Sequence, residues 1–128
     1  MAGMSTYLKN ALVNSTLRNT PYTSPVNVYV ALYTSDPTVT DTGSEVSGGG
    51  YARQPITFIA PVLGVTSDGV STTFPVSTVA WGTIAYFGIK DSVSGGNLLY
   101  FGALTTPRTL ASGDTITIPV SNISITLS

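Results

Sequence analysis

The chain has no cysteine and no histidine. Without cysteine there are no disulfides, no thiolate metal sites and no cysteine nucleophile. Without histidine it lacks the usual general base near neutral pH, the commonest metal ligand and any Ser-His or Cys-His dyad. Charge is scarce as well: 9 % of the 128 residues are charged, against about 25 % in an average soluble domain. The five basic residues, Lys9, Arg18, Arg53, Lys90 and Arg108, stand one by one along the chain, and the net charge is −1. Nucleic-acid binding needs clustered cations to release counterions, so no nucleic-acid partner is expected. No apolar run approaches the roughly 18 residues of a membrane span. The start, Met1-Ala2-Gly3-Met4-Ser5-Thr6, has no basic region followed by an apolar stretch, so no leader and no membrane partner are expected. These readings suit a protein made in a reducing cytoplasm.

What replaces charge is Ser, Thr and Gly, arranged with two periods. Residues 5–18 form the one helical stretch: Ser5 or Thr6 can cap it, and Tyr7, Leu8, Ala11, Leu12 and Leu17 fall near i, i+3, i+4 spacing. Pro21 and Pro25 end it. Its apolar face must cover either an edge of its own sheet or a neighbouring subunit. From residue 26 the period is two. Residues 26–33 read as a central strand, because β-branched and aromatic residues follow one another almost without interruption. A polar loop, 34–50, ends in Gly48-Gly49-Gly50, which reads as flexibility because no helix follows to give a phosphate cradle its dipole. Pro55 marks residues 51–60 as an edge or bulged strand. Ser67-Asp68-Gly69 predicts a hairpin between residues 62–65 and 70–74.

The strongest strand signal is residues 79–89. Strict alternation would put Val79, Trp81, Thr83, Ala85, Phe87 and Ile89 on one face and Ala80, Ile84 and Tyr86 on the other. A turn at residues 94–97 leads into an antiparallel strand at 98–104, and residues 115–120 and 123–127 alternate cleanly. About eight short strands at this spacing predict an all-β fold, a jelly-roll-like two-layer β-sandwich with one N-terminal α-helix, spanning 1–128 as one domain.

Little in this pattern carries chemistry. Asp36, Asp41 and Glu45 are the one acidic cluster, but their spacing matches no calcium loop, so no metal and no cofactor are expected. Asp91 and Asp114 fall where aspartate makes turn hydrogen bonds. The aromatics Tyr29, Tyr33, Tyr51, Trp81, Tyr86 and Tyr100 form either a carbohydrate-stacking platform or the core and margins of the sandwich. A hydroxyl-rich exterior this poor in charge suits a permanently assembled protein better than a free enzyme, because subunit interfaces are depleted of ionic groups.

The runs Val28-Tyr29-Val30-Ala31-Leu32-Tyr33-Thr34-Ser35-Asp36-Pro37 and Gly43-Ser44-Glu45-Val46-Ser47-Gly48-Gly49-Gly50-Tyr51-Ala52-Arg53-Gln54 resemble small virion structural proteins of tailed bacteriophages. The resemblance continues through Ala80-Trp81-Gly82-Thr83 and Asn97-Leu98-Leu99-Tyr100-Phe101-Gly102-Ala103-Leu104. It implies no enzyme. Its first implication is a capsid cement (decoration) protein on the capsid exterior, a homo-oligomer, with a trimer favoured, that bridges copies of the major capsid protein. The alternative is a tail-fibre or receptor-binding module that recognises host surface glycan. Candidate partner contacts are Tyr7, Leu8 and Leu12 on the helix and Asp36, Glu45, Tyr51 and Arg53 in and after the loop, with Arg53 as the polar anchor.

Overall fold

The computed structural model describes residues 3–127; Met1 and Ala2, part of the N-terminal stretch read above, lie outside it. Nine strands and one helix follow in the order β1 (Gly3–Met4), α1 (Thr6–Leu17), β2 (Val28–Tyr33), β3 (Gln54–Ile56), β4 (Val65–Ser67), β5 (Thr72–Thr73), β6 (Gly82–Lys90), β7 (Leu98–Leu110), β8 (Thr117–Ile118) and β9 (Ser124–Thr126). One layer is an antiparallel sheet of order β1-β7-β6-β2-β3. The other layer is two separate ribbons, β4-β9 and β5-β8. Val30, Leu32, Ile56, Ile84, Phe87 and Ile89 of the sheet share one core with Phe74, Ile116, Ile118, Ile123 and Ile125, so the fold is the expected all-β sandwich with its second layer split in two.

Strand β2 is central, between β6 and β3, and Val30, Ala31, Leu32 and Tyr33 are all buried. Its continuous hydrophobicity has a cause on each face: Val30 and Leu32 share the core with the ribbons, while Tyr33, on the other face, donates to Asp41 of the loop after β2. Pro55 sits on β3, the edge of the sheet, opposite Tyr29, where its missing N–H leaves no ladder bond unmade.

Two expectations fail for one reason, that pairing is decided at a distance. The hairpin around residues 67–69 does not form: β4 pairs with β9 and β5 with β8. Asp68 is fully buried. Its Oδ1 accepts from Ile123 N at 2.8 Å, its N–H donates to Ile123 O, and its carbonyl accepts from Ser121 N. It is a clamp to the C-terminal ribbon rather than a turn residue. The tight turn lies earlier, at Leu63-Gly64, both with positive φ (53° and 77°), where Val62 and Val65 exchange two backbone hydrogen bonds. This is the mirror-image turn that matches strand twist.

The facing of β6 also departs from strict alternation. Trp81, Ile84, Phe87 and Ile89 all enter the core, because Gly82 is left-handed (φ 82°) and the register with β7 jumps between Ile84 and Tyr86. Each irregularity shifts the phase by one residue. The same jump lets β7 run on to Leu110 through Pro107, past the end expected at residue 104. Pro107 lies in the extra length of β7 between the pairs Tyr86–Ala103 and Ile84–Arg108, where proline is tolerated.

Helix α1 starts where the sequence places a cap. Ser5 Oγ accepts from Leu8 N at 3.2 Å and donates to Leu98 O, while Ser5 N donates to Leu99 O. Leu8 is buried, but Tyr7, Val13 and Leu17 are exposed, so the helix docks by its first turn on β7 and leaves its far end uncovered. It is the one helix among the described residues and is too short to cross a membrane. Ser5→Ala removes the cap and the hydroxyl bond to Leu98 O together, while the backbone bond to Leu99 O stays. It is expected to cost about 1–2 kcal/mol, read as a lower midpoint in urea unfolding.

Candidate functional site

The loop at residues 34–50, expected to be flexible, folds back along β2, where Glu45 pairs with Tyr33 as an isolated antiparallel bridge. Thr34 N donates to Ser44 O, Val46 N to Leu32 O, and Thr6 N to Val39 O. Pro37 is fully buried. Two polar clusters hold the loop down, and they contain most of the charged pairing of the molecule.

In the first cluster Arg53 grips Glu45 with two prongs, Nε to Oε2 and Nη2 to Oε1, each at 2.8 Å. Its Nη1 donates to Ser92 O (2.8 Å) and Gly95 O (2.7 Å), which ties in the turn between β6 and β7. Tyr51 donates to Glu45 Oε2 at 2.6 Å and accepts from Leu32 N at 3.0 Å. The Arg53 side chain is 8 % exposed and that of Glu45 22 %. Burial works against the Glu45 carboxylate, but hydrogen bonds from Arg53 and Tyr51 outweigh it and hold the carboxyl below its usual range. Burial, reinforced by the bond to Glu45, pushes the Tyr51 phenol far above its ordinary value.

In the second cluster Lys90, buried at the end of β6, donates to Asp41 Oδ2, and Tyr33 donates to Asp41 Oδ1 at 2.8 Å. Burial and then this hydrogen bond raise the Tyr33 phenol strongly. Gly88 makes the packing possible, since a Cβ there would lie 2.8 Å from Leu98 Cδ1 and 2.9 Å from Tyr33 Cε1.

The structure therefore brings Glu45, Tyr51 and Arg53 together and separates them from the other sequence candidates. Asp36 is exposed and accepts from Thr38 N. Tyr7 is exposed, Leu12 half-buried and Leu8 buried. Arg53, expected to face a partner, faces Glu45 and the turn at residues 92–95. The acidic cluster divides, because Asp41 and Glu45 each meet a cation of the chain itself. Asp91 and Asp114 do make turn bonds, accepting from Asn97 N and Ala111 N. Lys90 was not among the candidates; its one signal is a lone cation closing an apolar strand.

The aromatic platform does not form at Tyr51 and Trp81. Tyr51 stacks on Phe74 (centroids 6.1 Å apart, planes at 7°) and meets Trp81 edge-on (5.5 Å, 88°). Trp81 is buried, and its Nε1 donates to Gly49 O at 2.9 Å. The three glycines are responsible: Gly48, Gly49 and Gly50 are all left-handed, and a Cβ on Gly49 would lie 2.5 Å from Val79 Cγ2 and 2.9 Å from Trp81 Nε1. The run is a tight turn seated under the indole, not a flexible tether.

Neither cluster presents a nucleophile or an open pair of carboxylates. Both work as latches that hold a long loop flat on a sheet, an arrangement suited to a rigid outer surface. No curated protein matches the chain. A family model does match it over residues 3–126, that of the podophage GP4 fiber I protein gp80. The chain accordingly belongs to that family, and it is a tail-fibre-related structural component of the phage virion.

Proposed function

We propose that the protein is a non-enzymatic building block of the tail-fibre apparatus, and that its task is mechanical: to present a stiff, weakly charged surface to other virion proteins. The family match carries this reading, since it is to a fibre protein and spans nearly the whole chain. The use of the acidic side chains supports it. Asp36, Asp41, Glu45, Asp68, Asp91 and Asp114 each accept hydrogen bonds from the chain's own groups, whereas a hydrolytic site needs carboxylates directed into a cleft.

The match favours the fibre alternative over a capsid cement role with the major capsid protein as partner. Host glycan recognition, if it belongs to this chain, falls to residues other than Tyr51 and Trp81. Copy number tests the proposal. Densitometry of purified virions against the major capsid band is expected to show few copies per particle, with immunogold label at the tail. Hundreds of copies distributed over the capsid would overturn it.

A further inference from the structure

The two latches differ in the cation they use. Arg53 meets Glu45 with a guanidinium, which keeps its proton in proteins and is no nucleophile. Lys90 meets Asp41 with a primary amine, which becomes a nucleophile once a proton leaves it. Lys90 is buried, 4 % exposed. Its ammonium has three protons to donate, yet within the chain it makes one hydrogen bond, to Asp41 Oδ2. The other carboxylate oxygen, Oδ1, accepts from the Tyr33 hydroxyl at 2.8 Å.

All three groups are held in place. Asp41 sits in a tight turn, left-handed (φ 57°), with its N–H donating to Thr38 O and the next N–H, of Thr42, to Pro37 O. Tyr33 is 1 % exposed and packs so closely on Gly88 that a Cβ there would strike its ring. Glu45, whose charge also reaches Lys90, is already paired with Arg53. Amine, carboxyl carbon and a hydrogen-bond donor to the carboxyl oxygen therefore meet in one fixed cluster, which is the geometry of acyl transfer.

From this arrangement we infer that Lys90 and Asp41 join covalently, in an intramolecular isopeptide bond between Lys90 Nζ and Asp41 Cγ that needs no further reactant. One ammonium proton passes to Asp41 Oδ2, giving a neutral amine and a neutral carboxylic acid, the form that a site poor in water favours. The Nζ lone pair adds to Cγ, and the carbonyl π electrons move to Oδ1, where the Tyr33 hydroxyl stabilises the oxyanion. A second proton leaves nitrogen for the Oδ2 hydroxyl, the Cγ–Oδ2 bond breaks, and water departs as Oδ1 becomes a carbonyl oxygen again. Nothing is oxidised or reduced. Burial holds the Tyr33 phenol far above its ordinary value, so it stays a donor throughout. The Asp41 side chain is 30 % exposed and borders an open pocket with Tyr7, Val39 and Asn97, which gives the water an exit. The bond joins positions 49 apart and pins the middle of the 34–50 loop to the end of β6, in a chain that has no cysteine for a disulfide. It stands apart from the fibre reading, since it requires the folded chain alone.

Intact mass spectrometry of the purified full chain tests it. The folded protein, kept for several days at neutral pH and then denatured, is expected to weigh one water less than its sequence. Trypsin does not cut after an acylated lysine, so residues 19–53 and 54–108 should appear as one branched product. Lys90→Arg, which keeps the charge but has no amine to acylate, should retain the full mass, as should Asp41→Ala. Tyr33→Phe should lose water on the order of a hundred-fold more slowly, for want of the oxyanion donor. A natural chain that is folded and remains at its full sequence mass overturns the inference, whether or not the variants fold. So does a loss of water that persists in Lys90→Arg, or one that maps to residues other than 41 and 90.

Discussion

Arg53→Met is expected to destabilise the protein by about 3 kcal/mol, because it leaves the Glu45 carboxylate mostly buried without its cation. The loss includes the two bonds to Glu45 and those that hold the turn at residues 92–95. At roughly 3 °C per kcal/mol for a chain of this size, the melting point should fall by about 10 °C. The fluorescence of Trp81, the single tryptophan, reports it. Adding Glu45→Gln to Arg53→Met should restore part of the loss, since the uncompensated charge disappears. If Arg53 instead faced a partner, Arg53→Met would leave the melting point unchanged.

The same cluster gives a pH dependence of definite sign. The Glu45 carboxyl is held below its ordinary value of 4.5 in the fold, so the native state favours its ionised form. Its contribution is fully present above the unfolded value and is lost as pH falls through the folded one. Melting points measured from pH 7 down to 3 are expected to drop below about pH 4.5, and Glu45→Gln should flatten that drop. On the alkaline side the sign reverses. The Tyr33 and Tyr51 phenols are raised above their ordinary value of 10.0, so their contribution is complete below that value and declines above it.

Trp81→Ala is expected to cost about 4 kcal/mol, the larger of the two effects. The indole is 6 % exposed, packs edge-on against Tyr51 and donates to Gly49 O. Its removal opens a cavity beside the three-glycine turn. Urea unfolding followed by circular dichroism measures the loss. Trp81→Phe keeps most of the bulk and gives up the hydrogen bond, at about 1 kcal/mol. A Trp81→Ala protein of undiminished stability that loses sugar binding would instead place the indole on a surface platform.

The largest elements were legible because their signals are local. The cap at Ser5, the apolar run of β2, Pro55 at an edge, and the alternation that buries Ile116, Ile118, Ile123 and Ile125 follow from neighbours a few residues apart. The resemblance pointed to a phage virion protein, and the family match bears that out.

What only the tertiary structure decided depends on residues far apart in the chain. Asp68 resembles a turn residue until Ile123, 55 positions away, supplies its N–H. Ile84 alternates out of the core until the jump in register against β7 brings it back in. Arg53, Lys90 and Trp81 could each face solvent or a partner until Glu45, Asp41 and Gly49 close on them. Periodicity records which face of a local element is apolar; it carries no record of which distant element will meet that face. A buried charge or a left-handed glycine acquires its role only when that meeting takes place.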